Sequence, residues 1–128
     1  MSRNVCGHAL SLLWAFGCLF LSAATCLAAD GPPEARLKLV FLGDSGHHEP
    51  ARRAAELLPV LAERGMDVRY SDNVDDVLSA EGLKPLDGLI VYANIDEISD
   101  SQANALLDFV QSGGGFIPLH CASYCFRN

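Results

Sequence analysis

Short apolar runs alternate with longer stretches of helical period along this chain. Leu37–Leu42 is apolar except for Lys38, the pattern of a strand covered on both faces. A polar loop, Gly43–Glu49, follows, and Pro50 suits the first turn of a helix because its missing N–H would have no partner there. Ala54, Leu57, Leu58 and Leu61 recur on one helical face, and Gly65 closes the helix. Pro59 lies inside that span, removes one hydrogen bond to Ala55 and predicts a kink. Asp67–Tyr70 is a second short strand, and Ser71–Pro85 is polar with one weak helical turn near Val74–Leu78. Gly88–Ala93 is a third strand. Ser99 and Gln102 have the spacing of a capping box, and Ala103, Leu106, Leu107 and Val110 form the apolar stripe of the helix that follows. Gly113 ends it, and the apolar run Phe116–Leu119 predicts a fourth, buried strand.

Strands alternating with helices imply an α/β fold, a parallel sheet with helices on both faces and right-handed crossovers. A flavodoxin-like strand order of 2-1-3-4 brings three polar loops to one edge: Asp44–Glu49, Asn94–Glu97 and His120–Tyr124. In open sheets of this kind ligands bind beyond the carboxyl ends of the strands.

The first residues do not fit this scheme. Arg3 precedes an apolar core, Ala9–Leu21, followed by small residues up to Ala29. That is the pattern of a secretory signal, too short for a comfortable membrane span. Residues 1–29 are therefore expected to be a signal peptide, 30–36 a linker and 37–128 the folded domain, in a secreted or periplasmic protein that does not enter the membrane after cleavage. Losing Arg3 takes the charge from −7 to −8, with 8 basic against 16 acidic residues. Such a chain repels phosphate backbones, so nucleic acid is not an expected partner. Three of the five cysteines leave with the signal, and Cys121 and Cys125 remain, too few for a disulfide scaffold. A strand so near residue 128 would leave an open sheet edge, so the chain is expected to be a piece of a longer protein.

Candidate chemistry falls in the three loops. Asp44, His47 and His48 lie between a strand and a helix start, where free N–H groups favour anionic or polyhydroxyl ligands. Gly43 and Gly46 do not complete a dinucleotide-binding fingerprint. Asn94 is suited to turning the chain or to bonding a ligand hydroxyl. His120 and Cys121 follow the fourth strand, where a strand-to-helix elbow can expose a nucleophile. Cys121 needs a base and an electropositive setting to become a thiolate, and His120, its chain neighbour, is poorly aimed for that. His120 is better suited to act as general acid, base or polar anchor, since imidazole titrates near neutral pH. No ligand spacing marks a metal site, and no cofactor is indicated.

The segments Gly43-Asp44-Ser45-Gly46-His47-His48, Leu58-Pro59-Val60-Leu61-Ala62-Glu63-Arg64-Gly65, Asp87-Gly88-Leu89-Ile90-Val91-Tyr92-Ala93-Asn94 and Ser112-Gly113-Gly114-Gly115-Phe116-Ile117-Pro118-Leu119-His120-Cys121-Ala122-Ser123 together resemble the ThuA-like (trehalose-utilization) family. That family belongs to the class I glutamine amidotransferase-like superfamily, with a flavodoxin-like fold. The ending Pro118–Phe126 is similar to secreted ThuA-like domains of planctomycete-type bacteria, which often precede haem-binding or repeat domains. The resemblance implies a sugar-derived substrate, a disaccharide or its 3-keto derivative. It also places His120, rather than Cys121, where the amidotransferases carry their elbow cysteine, which argues against glutamine hydrolysis. A non-catalytic interaction module of a larger periplasmic protein is the alternative. Whether the domain turns a substrate over stays open at this point.

Overall fold

A computed structural model describes residues 36–127. The expected signal peptide, and the linker apart from Arg36, lie outside the described residues. Arg36 is tied to the domain, its Nε donating to Asp67 Oδ1 at 2.6 Å and its guanidinium reaching the carbonyl of Ala62.

The chain runs β1 (Leu37–Leu42), α1 (Pro50–Ala62), β2 (Met66–Ser71), α2 (Val74–Val77), α3 (Ala80–Leu83), β3 (Gly88–Val91), α4 (Asp100–Gln111), β4 (Gly115–Pro118) and a 3-10 turn at His120–Tyr124. The four strands form one parallel sheet in the order β2-β1-β3-β4, the flavodoxin-like arrangement that the alternation predicts. The two-residue period of the strands divides the core between the faces. Leu39, Phe41 and Ile90 pack with Ala54 and the apolar stripe of α1 on one face. Val40, Leu42, Leu89 and Val91 pack on the other against Val77, Leu78, Leu83 and part of α4.

Local signals explain most of the boundaries. Pro50 opens α1, and the helix continues through Pro59 for three more residues. Gly65, at φ 80°, then makes the left-handed turn into β2, and its carbonyl accepts the N–H of Leu37. The capping box at Ser99 and Gln102 forms with both of its bonds. Asn73 and Ser79 each accept backbone N–H groups at the starts of α2 and α3.

Three expectations are corrected. The stretch after Leu78 is not loop: Ser79 caps α3, a four-residue helix ending in the buried Leu83. Leu107 and Val110 do not belong to the buried stripe of α4 but are 56% and 43% exposed, while Ala105 and Phe109 pack against the core instead. Finally, β4 is not buried. All four of its residues are exposed: among the described residues β4 is an edge strand paired with β3, and none of its side chains joins either core cluster. Among the described residues no helix is long and apolar enough to cross a membrane.

Candidate functional site

The carboxyl ends of β1, β3 and β4 carry the site. The chain leaves β1 through Gly43, where a side chain would collide with the Tyr70 ring at 2.6 Å and with Pro50 Cβ at 2.7 Å. This close passage turns the loop over the sheet rim. Asp44 then folds back, its Oδ1 accepting the N–H of Gly46 at 2.7 Å and its Oδ2 that of Asn94 at 2.5 Å. Glu49 takes the left-handed conformation at φ 53°, immediately before α1, and pairs with Arg52 at 2.8 Å. Between these two points stand His47, exposed, and His48, half-buried.

The end of β4 supplies the second half. Leu119 continues the pairing through its N–H to the carbonyl of Val91 at 2.8 Å. His120 then takes φ 52°, a strained value for a residue with a side chain, and the 3-10 turn begins. Such a conformation costs on the order of 1–3 kcal/mol and persists only where its surroundings impose it. Here Leu119 and Ala122 are anchored in the two cores on opposite faces, and the Ser123 hydroxyl donates to the His120 carbonyl at 3.3 Å. The result is the elbow expected from the sequence, with the imidazole of His120 at its tip.

Three imidazoles and a phenol meet on this rim. The His47 and His48 rings lie 3.9 Å apart between centroids, and His48 meets His120 edge to face at 4.7 Å. Tyr92, the first residue after β3, stacks on His120 at 5.9 Å and presents its ring to His48 at 6.3 Å. Tyr92 in turn rests on the buried Phe41, 6.2 Å away. Tyr92 was not singled out from the sequence. The signal was present in the period of β3, since Tyr92 shares the α1 face with Ile90.

The electrostatics favour neutral groups. The pKa of His48 is lowered, first by desolvation and then by His47 and His120, against an opposing pull from Asp44. His48 is therefore an uncharged imidazole at neutral pH, able to accept a proton or a hydrogen bond. Burial pushes the Cys121 thiol up, outweighing a hydrogen bond from its own backbone N–H that pulls it down, and the Asp44 charge adds a smaller upward push. An activated nucleophilic thiol needs the reverse shift. The elbow donors are also engaged, since the Ala122 N–H is bonded to the Leu119 carbonyl at 3.1 Å. The structure thus brings together Asp44, His47, His48, Asn94 and His120, and gives Cys121 a protonated, half-buried setting. Cys121 and Cys125 are both free thiols. Among the described residues no group of three or more His, Cys, Asp or Glu side chains is arranged to hold a metal ion.

A groove of about 790 Å³ between α1 and the opposite, amino-terminal ends of the strands, around Lys38, Met66 and Leu86, shares no residue with the histidine cluster.

Comparison with known proteins agrees with this fold. No curated protein matches the sequence. A crystal structure of a ThuA-like protein from Bacteroides uniformis superposes with a TM-score of 0.59 at 17% identity, over 74% of this chain and 40% of that one. At that identity the likeness is one of fold, and this chain spans 40% of the length of that solved relative. The ThuA family, described as trehalose utilisation, matches residues 38–128, so the chain belongs to the ThuA family.

Proposed function

We propose that this domain binds a sugar-derived substrate, a disaccharide or its 3-keto derivative, on the rim formed by His48, Tyr92 and His120, and that His120 is the acid, base or anchoring group of that site. The observation that carries the reading is the strained elbow at His120, which sets its imidazole against His48 and Tyr92. Strain of this kind is kept where a side chain must be aimed, and it clusters at functional sites. The aromatic faces offer a platform for the C–H face of a sugar ring, and Asn94 and the imidazole nitrogens offer hydroxyl partners. A neutral His48 beside His120 is suited to moving a proton to or from a hydroxyl or an adjacent carbon. Family membership supports sugar chemistry at the level of trehalose utilisation. The raised thiol of Cys121 weighs against an amidotransferase-type hydrolysis.

Isothermal titration against neutral disaccharides and their 3-keto derivatives tests the proposal. Saturable binding whose affinity falls at least about tenfold with His120→Ala, the loss of one good polar contact, supports it. Undiminished binding by that variant, or no heat from any sugar, overturns it. We also propose export by the signal formed by Arg3 and the apolar core that follows. Amino-terminal sequencing of the mature protein should begin near residue 29 or 30, and an intact Met1 would refute this.

A further inference from the structure

His48 and His120 touch although their strands are not neighbours, because β3 lies between β1 and β4. An edge-to-face contact between two partly exposed rings is too weak to hold two loops together. The segment between them, Ala93–Asp96, is joined to both. On the β1 side, the Asn94 N–H donates to Asp44 Oδ2 at 2.5 Å, and the other carboxylate oxygen holds the Gly46 N–H of the same loop that carries His48. On the β4 side, Cys125 Sγ donates to the Ala93 carbonyl at 3.0 Å and accepts the Ile95 N–H at 3.3 Å. The chain beyond continues the seam: the Phe126 N–H donates to the Ile95 carbonyl at 2.9 Å and the Arg127 N–H to that of Asp96 at 2.8 Å.

We propose that Asp44 and Cys125 are positioning residues, which clamp the Ala93–Asp96 segment from its two sides and so hold the His48–His120 contact. The proposal deepens the sugar-site reading by giving Asp44 and Cys125 work that needs no contact with a ligand. Both carboxylate oxygens of Asp44 are taken by backbone N–H groups, which leaves them poorly placed to serve a substrate. Burial raises the Cys125 thiol, so it stays protonated and keeps its S–H for the Ala93 carbonyl. The left-handed Phe126, at φ 58°, lets residues 125–127 run back along the segment.

The test needs no sugar, so it can fail while sugar binding stands, and sugar binding can fail while it stands. Ring-proton NOEs between His48 and His120, and the titration of His48, are recorded by NMR for the wild type, Cys125→Ala, Cys125→Ser and Asp44→Asn. The groups facing His48 are His47, His120, Tyr92 and Asp44. The wild type should show the NOE, given centroids 4.7 Å apart, and a His48 pKa below its ordinary value of 6.5. Cys125→Ala, which removes donor and acceptor together, should weaken the NOE at least twofold and move the His48 titration up toward its ordinary value. Cys125→Ser, which keeps both, should restore each readout toward wild type. Asp44→Asn, which turns one acceptor into a donor facing an N–H, should weaken the NOE as well. If Cys125→Ala unfolds, the serine and asparagine variants carry the test. A lowered melting temperature with the NOE and titration unchanged would make the two residues merely structural and overturn the proposal.

Discussion

Strands β3 and β4 are paired, parallel and in register, Gly88 to Gly115 through Val91 to Pro118, and each is four residues long. Their sequences are alike, Gly-Leu-Ile-Val against Gly-Phe-Ile-Pro, yet every residue of β3 is buried and every residue of β4 is exposed. The difference lies in place. β3 has a strand on each side and side chains in both core clusters, whereas among the described residues β4 pairs with β3 alone and adds no side chain to either cluster. Burial in a sheet is conferred by neighbours, and an apolar run states only that a strand can be buried. The consequence for the site is direct. Tyr92 rides on the best-supported strand and His120 on the least supported, so His120 owes its position to the turn after it and to the seam along Ala93–Asp96.

The contrast can be broken by substitution. Leu89→Ala in β3 removes a fully buried side chain and should cost about 3 kcal/mol in urea unfolding, within the range for buried Leu→Ala. Ile117→Ala in β4, where the side chain is 42% exposed, should cost about 1 kcal/mol or less, in proportion to the smaller area it keeps from water. Equal costs would mean that β4 is covered in solution by something other than residues 36–127.

The elbow sharpens it further. His120→Gly relieves the positive φ, whereas His120→Ala retains it, so the glycine variant should be the more stable of the two by about 1 kcal/mol. Both should lose ligand binding, which separates backbone strain from side-chain function. The reverse order of stability would show that the elbow conformation is not populated.

Acid should act most gently. A folded His48 binds its proton less readily than the unfolded chain, so the unfolded state takes up more protons in this range. Stability should therefore fall as pH drops through the ordinary imidazole value of 6.5 toward the depressed folded value, and level off below it. His48→Gln should flatten that part of a melting-temperature profile taken from pH 8 to about 5. A wild-type profile no steeper than the variant's would remove the inferred crowding of imidazoles.

Much of this fold was legible in sequence because its signals are local. Pro50, Gly65 and the Ser99–Gln102 box fix helix ends within a few residues, and the apolar runs of β1 and β3 need no partner to be recognised. What escaped depends on distant neighbours. The short α3 hid in a polar stretch because only the packing of Leu83 against the core rewards it. Of the site, the three loops followed from strand order, and the place of His120 at the elbow followed from the resemblance to the ThuA-like family. Tyr92 was passed over as one more strand residue, and Cys125 as one of two cysteines too few for a disulfide scaffold, since a thiol bonded to backbone atoms about 30 residues away leaves no trace in local spacing.

The central claim is that loops from β1 and β4 form one ligand site across the end of β3. Titrating the protein with a neutral disaccharide and its 3-keto derivative while following the imidazole resonances tests it most directly. His48 and His120 should shift together along one saturation curve, and His120→Ala should abolish the shift at His48. A sugar that saturates the protein while leaving both rings unperturbed would contradict it.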